Sequence, residues 1–395
     1  MTEKRRRLLW LWMAFPLLLG LALRLWFIAH LARIDGDSLI YGDIAKNWLE
    51  HGVYGFTQAA TARPTLIRLP GYPLFLAACF RVFGVEHYTA VMVVQSVIDL
   101  LTCLLASALA GRLFGRRAAI ATLWLAALCP FTANYVAAPL TETLSLFCIV
   151  LAFYGLERWR TTSLGINRWL WVITFALAYA VLLRPEQGLL AVAVLAAMLW
   201  ISSRERDWLH SIWPVALVAV CMVLPLAPWT VRNWRTFHVI QPLAPRYATD
   251  PGELVPMGFQ RWYRSWGIDF ASTEDVYWNY DGAEIDIGDV PSRAFDSEQQ
   301  YEQTDALLNN YNQTYNATAA IDGRFEKIAE ERIQDDPIRY YIALPVARLL
   351  DMALRPRTEM MPIPLYWWHW GKRPGKTLFA ASYAGLNFVY LVLGG

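Results

Sequence analysis

The polar stretch at residues 32–86, called the first loop below, gathers side chains that can carry out acid–base chemistry beside a phosphate. Three of its carboxylates and two of its guanidinium groups are candidates for such chemistry, at Asp35, Asp37, Asp43, Arg63 and Arg68. A positioned carboxylate can take the proton of a hydroxyl group. An arginine offers a planar fork of donors that suits a phosphate. We therefore treat this loop as part of a candidate active site.

Asp37 and Arg68 also have ordinary structural interpretations. Asp37 stands directly before a run with apolar residues at helical spacing, where aspartate is a good helix N-cap. Arg68 precedes Leu-Pro-Gly-Tyr-Pro at 69–73, which fixes the backbone. Its guanidinium could hold a phosphate or simply extend to water at a membrane surface. Opposite charges within one loop favour the chemical interpretation.

Further charged residues stand at the ends of apolar segments, at Glu142, Arg184, Glu186, Arg232 and Arg235. Ionisable groups at membrane depth are costly and are often functional. Structural alternatives exist here too, since Glu142 can favour the start of a helix and Arg184 can pair with Glu186. Arg232 and Arg235 could anchor the chain to lipid headgroups.

Composition assigns the chain to the multi-pass membrane proteins. Of its 395 residues, 56% are hydrophobic and 17% are charged, against about 45–50% and about 25% in soluble proteins. The formal net charge is +2, and the basic residues flank apolar segments instead of forming a patch, which gives no indication of nucleic-acid binding. We predict an all-α polytopic membrane protein.

Eight apolar stretches predict membrane spans of roughly 20 residues or slightly fewer; they lie at 8–31, 88–110, 118–137, 140–156, 169–183, 187–201, 212–230 and 377–393. The basic residues at 4–7 predict a cytoplasmic N-terminus, and the arginines of the connections 111–117, 157–168 and 202–210, Arg206 included, agree with that orientation. The first loop and every charged residue considered above would then share the opposite face. Shorter apolar helices at 38–51, 72–83 and 338–354 are expected at the membrane interface.

The predicted organisation has three parts. Residues 1–230 form a transmembrane catalytic module, 231–337 a large extracytoplasmic loop, and 338–395 an interfacial helix followed by a last span. The large loop is expected to lie against the membrane through aromatic residues that suit an interface, namely Trp262, Tyr263, Trp266, Tyr277 and Trp278. The chain ends inside an apolar segment, so we expect further spans after Gly395.

Five motifs, taken in order, resemble the GT-C glycosyltransferases. The closest resemblance is to the bacterial family 39 type, related to protein mannosyltransferases and to the aminoarabinose transferase of lipid A. The motifs are Asp-Ser-Leu-Ile-Tyr-Gly-Asp-Ile-Ala at 37–45, Arg-Leu-Pro-Gly-Tyr-Pro-Leu-Phe-Leu at 68–76, Leu-Thr-Glu at 140–142, Leu-Arg-Pro-Glu at 183–186 and Pro-Trp-Thr-Val-Arg-Asn at 228–233. This resemblance implies a GT-C-like helical bundle with interfacial helices and a mixed extracytoplasmic segment.

The resemblance also implies an activity, the inverting transfer of one sugar from a polyprenyl-phosphate donor to an acceptor hydroxyl outside the plasma membrane. It implies that Asp37 is the general base, with Asp35 as the next candidate. The carrier phosphate would bind Arg68, Arg63, Arg184, Arg232 and Arg235. The substrate would contact Tyr41, Asp43, Tyr72, Glu142 and Glu186.

The expected partners are the membrane, the lipid-linked donor and a lipid, glycan or protein acceptor, without nucleic acid. No cofactor is expected to be required, although Asp37 and Glu142 together could hold a divalent metal. Two other interpretations stay open, a transporter or flippase of lipid-linked sugars and a non-catalytic subunit. A flippase would favour charges near mid-bilayer and repeated halves, and neither is found in the sequence.

Overall fold

The computed structural model describes residues 3–204, 208–371 and 373–394, and the side chains of 13–204, 212–371 and 373–394. The predicted orientation rests partly on the side chains of 4–7 and on Arg206, which lie outside these described side chains. The chain divides into two compact units, Met1–Pro251 and Gly252–Gly395.

The first unit consists of helices and one short hairpin. The hairpin pairs β1 (Gly55–Gln58) with β2 (Thr61–Pro64) in antiparallel register, with Gly55 opposite Pro64. The helices are α1 Glu3–Leu31, α2 Asp37–His51, α3 Gly71–Phe83, α4 Tyr88–Phe114, α5 Arg116–Ala127, α6 Pro130–Tyr135, α7 Glu142–Thr162, α8 Arg168–Leu183, α9 Gly188–Ser202, α10 Trp208–Val223 and α11 Leu226–Phe237. A 3₁₀ turn, Pro185–Gln187, joins α8 to α9.

The prediction of a polytopic all-α membrane protein is confirmed. Five helical stretches among the described residues are long and apolar enough to cross a membrane: Met13–Leu31, Tyr88–Phe114, Pro185–Ser202, Ile212–Phe237 and Pro374–Gly394. The other three predicted spans are also helical. The one predicted at 118–137 is wrong as a single helix, because it is divided at Leu128 and Cys129, where Pro130 cannot continue α5 and opens α6.

A buried ion pair joins three helices of the first unit. Arg24 of α1 is fully buried, and its Nε donates to Asp99 Oδ2 of α4 at 2.7 Å. Its Nη1 donates to the carbonyls of Gly20 (2.8 Å) and Ala127 (2.7 Å). Ala127 is the last residue of α5, where carbonyls lack intrahelical donors. Arg24 therefore secures the point at which the predicted third span is divided.

The first loop folds into α2, the hairpin and α3. Asp43 of α2 accepts hydrogen bonds from the backbone N–H of Thr57 (2.6 Å) and from its hydroxyl (2.7 Å), which fixes β1 against the helix. The hairpin was absent from the sequence prediction. Asp250 also returns to this loop, where its carboxylate accepts from Leu66 N at 2.8 Å. The first unit therefore runs past the predicted boundary at residue 230.

Gly71 allows α3 to meet the end of α8 at close range. A Cβ at this position would lie 2.5 Å from the carbonyl oxygen of Leu182 and 2.8 Å from the nitrogen of Leu183. Both are backbone atoms, so the two helices would have to separate. Arg68 precedes this contact on one side and Arg184 follows it on the other, so the contact sets the spacing of two candidate site residues.

We expect Gly71→Ala to destabilise the protein by about 1–3 kcal/mol, the usual cost of overpacking. The measurement is thermal unfolding of the purified protein. Gly188→Ala is the matched control, because Gly188 also begins a helix but has open space around a Cβ. Equal stability of the two variants would contradict the close-contact role of Gly71.

The second unit is built around an aromatic core. Its helices are α12 Met257–Arg264, α13 Phe270–Ser272, α14 Glu298–Tyr311, α15 Ala319–Asp335, α16 Leu344–Leu354 and α17 Pro374–Gly394. Short 3₁₀ or π-helical turns occur at Thr273–Tyr277, Ile287–Asp289, Ser292–Ala294 and Arg339–Ala343. The last of these leads directly into α16, so the helix predicted at 338–354 is found.

The expected interfacial role of the aromatic residues is wrong for most of them. Trp262 and Trp266 are 0% and 1% exposed and pack around Phe325 in the core of the second unit. Tyr263 and Tyr277 pack against the same core, and only Trp278 of this group is well exposed. Aromatic residues suit both a membrane interface and a protein core. Here the packing of α12 against α15 places most of them in the core.

Candidate active site

Five of the ten charged residues selected from the sequence line a cleft of the first unit. The cleft has a volume of about 550 Å³, within the range of ligand-binding sites. It is lined by the start of α2, the residues before α3, the start of α7, the α8–α9 connection and residues 243–248. We call it the charged cleft; its charged lining residues are Asp37, Arg68, Glu142, Arg184, Glu186 and Arg246.

Asp37 and Arg68 are in direct contact within the charged cleft. Arg68 Nη2 donates to Asp37 Oδ1 at 2.7 Å, and the carboxylate side chain is 51% exposed. The N-cap of α2 is Gly36, and no side chain caps this helix end. Asp37 therefore does not serve as the helix cap, and its carboxylate faces the cleft.

Arg184 is held between two carboxylates. Its Nε donates to Glu186 Oε1 at 2.6 Å and its Nη1 to Glu142 Oε1 at 2.9 Å. Partial burial alone would lower the pKa of Arg184, but the charges of Glu142 and Glu186 outweigh it and raise the pKa above the ordinary arginine value. The guanidinium therefore stays charged and is fixed in orientation.

Tyr41 lies under the Arg68 guanidinium, one helical turn after Asp37. The Arg68 Cζ is 5.8 Å from the centroid of the Tyr41 ring. Burial raises the pKa of Tyr41 to about 12, an effect that Arg68 partly offsets. The phenol is therefore protonated at neutral pH, a state in which it cannot act as a base.

Tyr54 fixes the backbone of Arg68, because the Tyr54 hydroxyl donates to the Arg68 carbonyl at 2.9 Å. Burial holds the pKa of Tyr54 well above the ordinary tyrosine value, so this hydroxyl remains a donor. Among the described residues, none gives a hydrogen-bond partner to the buried Nε of Arg68. Arg68 is thus held in place through its backbone carbonyl and through the contact of its guanidinium with Asp37.

Arg232 does not line the charged cleft, contrary to the prediction that it binds the carrier phosphate. Its Nη1 donates to the carbonyl of Thr65 at 2.7 Å and its Nη2 to the carbonyl of Tyr54 at 2.6 Å. The guanidinium also packs on the rings of Trp229 and Phe237. Its donors are committed to the two ends of the hairpin, so Arg232 positions the first loop.

We expect Arg232→Ala to lower the free energy of unfolding by about 3 kcal/mol, because it removes hydrogen bonds from a charged group to two carbonyls. Thermal unfolding in detergent measures the loss. Arg235→Ala is the control, since Arg235 is exposed in the same helix and its loss should leave the melting temperature unchanged. A normal melting temperature for Arg232→Ala, together with weaker donor binding, would restore the predicted phosphate role.

Other predicted residues lie away from the charged cleft. Asp43 is six positions after Asp37, about 240° around the helix axis, and faces the hairpin. Tyr72 is fully buried, and its hydroxyl donates to Gln95 at 2.6 Å. Asp35 pairs with Arg33 at 2.5 Å outside the cleft. These contacts are structural, so the predicted contact of Asp43 and Tyr72 with substrate is not supported.

Arg63 and Arg235 are also absent from the lining of the charged cleft. Arg63 stands on β2, where its guanidinium donates to Gln58 of β1 at 3.4 Å. Arg235 lies almost one turn beyond Arg232 on α11 and is exposed to solvent. The prediction that either binds the carrier phosphate would require the hairpin or α11 to reach the cleft, and neither does.

Arg246 and Thr141 line the charged cleft but were missed in the sequence. Arg246 follows Pro245 in a segment without helical periodicity, in which sequence patterns do not place side chains. The sequence Pro-Arg-Tyr at 245–247 indicates a turn. A single arginine after a proline is weak evidence for a binding site, so Arg246 was not selected. Thr141 directly precedes Glu142, and the hydroxyl of Thr141 lies 3.5 Å from Arg184 Nη1.

The formal charges of the lining residues balance one another. Three carboxylates (Asp37, Glu142 and Glu186) face three guanidinium groups (Arg68, Arg184 and Arg246). An entering phosphate would therefore compete with carboxylates that already hold Arg68 and Arg184. Among the described residues, no three His, Cys, Asp or Glu side chains are grouped to hold a metal ion.

Comparison with known proteins gives one family. Residues 63–231 match the model of the dolichyl-phosphate-mannose-protein mannosyltransferase family, and a search of curated proteins finds no match. The matched segment contains Arg68, Glu142, Arg184 and Glu186, and it begins after Asp37. The narrower family 39 type stays a prediction. Residues 63–231, less than half of the chain, are therefore similar to the dolichyl-phosphate-mannose-protein mannosyltransferase family, which is a GT-C type family of glycosyltransferases.

Proposed function

We propose that the protein transfers a single sugar from a polyprenyl-phosphate donor to an acceptor hydroxyl, with inversion, in the charged cleft. The observation that supports this most is the contact of Asp37 with Arg68 inside a cleft that also contains Arg184 and Arg246. A base for the acceptor and cations for the leaving phosphate are thus a short distance apart. From the arginine bias of the loops, we place the cleft on the extracytoplasmic face.

The reaction breaks the bond between the sugar C1 and the phosphate oxygen and forms a bond between C1 and the acceptor oxygen. The acceptor proton passes to Asp37, which becomes neutral. The donor is a phosphodiester with one negative charge, and the polyprenyl phosphate leaves with two. Negative charge therefore moves from the base to the phosphate across the sugar, and the net charge of the cleft is unchanged.

This movement of charge assigns a double role to Arg68. While Asp37 is ionised, Arg68 orients it through the 2.7 Å contact. As Asp37 takes the proton, it holds Arg68 less strongly, and the guanidinium becomes free to stabilise the phosphate. Interactions that strengthen as charge develops lower the barrier instead of merely binding the substrate.

Arg184 and Arg246 would complete the phosphate site. Arg184 stays charged and oriented by Glu142 and Glu186, and a planar guanidinium can still offer its remaining N–H groups to a phosphate oxygen. Arg246 enters the lining from the segment after α11, and the ring of Tyr247 lies 5.4 Å from its Cζ. Glu142 and Glu186 act as positioning residues in this scheme.

The test is a transfer assay with the purified full chain and synthetic polyprenyl-phosphate sugars, beginning with mannose because of the matched family. Product mass and anomeric configuration are read by mass spectrometry and NMR. We expect a glycosylated acceptor with inverted configuration and release of polyprenyl phosphate. Movement of intact donor between the leaflets of a vesicle, without release of polyprenyl phosphate for any sugar tested, would instead support a flippase.

A further inference from the structure

The second unit contains another pocket, and none of its lining residues lines the charged cleft. It has a volume of about 270 Å³ and lies where the chain enters α17. Its lining includes the aromatic rings of Tyr366 and Trp367 and the polar side chains of His369, Arg373 and Lys376. Among the described residues, none that lines this pocket carries a carboxylate. We call it the cationic pocket.

We propose that the cationic pocket binds the phosphate group of an anionic lipid headgroup. Arg373 directly precedes α17 and Lys376 lies in its first turn, and both residues line the pocket. Pro374 between them opens the helix, a position that proline favours. Two cations beside the positive end of a helix dipole form an environment suited to a phosphate.

The hydrogen bonds of the pocket leave donors for such a ligand. Lys376 Nζ donates to the carbonyl of Pro362 at 2.5 Å, which holds the ammonium in place and uses one of its three N–H groups. The guanidinium of Arg373 has no side-chain hydrogen bond or ion pair with the residues that the structure describes. A bound phosphate would therefore displace no existing contact of Arg373.

The aromatic wall of the pocket makes a hydrogen bond to a carboxylate that does not line the cavity. Tyr366 stacks on His369, with ring centroids 5.6 Å apart and planes at 11°. The Tyr366 hydroxyl donates to Asp275 Oδ2 at 2.7 Å, so the ring stands between Asp275 and the pocket. The negative charge of Asp275 is thus satisfied by a hydrogen bond outside the cavity.

Position along the chain favours a lipid source for the phosphate. Pro374–Gly394 is long and apolar enough to cross a membrane, and Leu378, directly after the cationic turn, is 58% exposed. Trp368 and Trp370, just before it, are 47% and 58% exposed, as in the aromatic belts of membrane proteins. If α17 spans the bilayer, Arg373 and Lys376 lie at headgroup level.

The test measures binding of dihexanoyl-phosphatidylglycerol, a soluble short-chain lipid, to the purified full chain in a neutral detergent. The variant Arg373→Gln/Lys376→Gln removes both charges and keeps the side chains long. We expect its dissociation constant to rise about 10- to 30-fold, as for the loss of two cations near an anionic membrane surface. The variant Arg373→Lys/Lys376→Arg keeps both charges and should bind within about threefold of the unmodified chain.

A matched control is available in the same unit. Arg324 and Lys327 are two exposed cations with the same spacing on α15, and Arg324→Gln/Lys327→Gln should leave lipid binding unchanged. Equal binding by the pocket variant and the unmodified chain, or equal loss in the α15 control, would overturn the proposal. If the pocket variant loses its fold, binding by the charge-keeping variant decides, since failure of that folded variant to bind would also overturn it.

Two further arms separate a lipid headgroup from a free phosphate. Inorganic phosphate at millimolar concentration should compete poorly with the lipid if the headgroup and its glycerol are recognised. Strong competition by inorganic phosphate alone would move the assignment to a free phosphate and overturn the lipid source. The readout is independent of sugar transfer, and Asp37→Asn should bind the lipid normally, so failure here and failure of the proposed function are distinguishable.

Discussion

Replacement of Asp37 by asparagine is expected to lower the rate of sugar transfer about 10²- to 10⁴-fold, the usual contribution of a general base. Asparagine keeps the size of the side chain and an oxygen that can accept from Arg68, so the cleft should keep its shape. It cannot take a proton from the acceptor hydroxyl. The measurement is turnover with a fixed donor, together with a binding assay for the polyprenyl-phosphate carrier, which should bind at least as tightly because a neutral side chain holds Arg68 less strongly.

The controls for this prediction come from the same part of the chain. Asp35→Asn removes a carboxylate two residues away that pairs with Arg33 outside the cleft, and it should keep turnover within about threefold. Tyr41→Phe should leave the pH profile unaltered from pH 6 to 9, because the Tyr41 pKa of about 12 keeps the phenol protonated throughout that range. Full activity of Asp37→Asn would rule out Asp37 as the base.

The second large effect is expected for Arg68→Ala, with turnover reduced about 10²- to 10³-fold, the cost of removing one donor from a developing anion. Arg68 is only 20% exposed, and it contacts the carboxylate of the proposed base. Its removal should also raise the donor KM, since the carrier phosphate loses a ligand. Steady-state kinetics over a range of donor concentrations separates the two effects.

Arg63→Ala is the matched control for Arg68→Ala. Arg63 lies in the same loop and carries the same charge, but it stands on the hairpin beside Gln58 and does not line the charged cleft. Its removal should leave kcat unchanged. Arg68→Lys should recover only part of the activity, because an ammonium provides charge without the planar fork. Similar losses for Arg63→Ala and Arg68→Ala would indicate a general charge effect instead.

Local patterns were sufficient to predict much of the charged cleft. Asp37 stands directly before a helix that the apolar spacing predicts, and the resemblance indicated Tyr41, which lies in the first turn of that helix, as a substrate contact. Glu142 and Arg184 stand at span ends, and the basic residues at 4–7 together with the loop arginines set the predicted side of these ends. Hydrophobic length and charge bias act over short stretches of chain, and sequence reports both directly.

The misassigned residues depend on contacts between distant parts of the chain. Arg232 bonds to Thr65, 167 residues away, and to Tyr54, 178 residues away, and no local pattern distinguishes such a bond from phosphate binding. Asp43 was assigned to the site because the hairpin was not predicted, so its structural contact with Thr57 could not be anticipated. Arg246 was missed because the irregular segment that carries it has no period from which to infer a direction.

The buried contact of Arg24 with Asp99 has a consequence for biosynthesis. An arginine at the centre of an isolated span opposes membrane insertion by about 2.5–3.5 kcal/mol. Its partner lies 75 residues further along the chain, and a ribosome adding about 5–20 residues per second needs about 4–15 s to reach it. During that interval the first helix has no counter-charge. The arginine therefore gains its buried partner only when the fourth helix arrives, so the order of translation becomes part of how the bundle assembles.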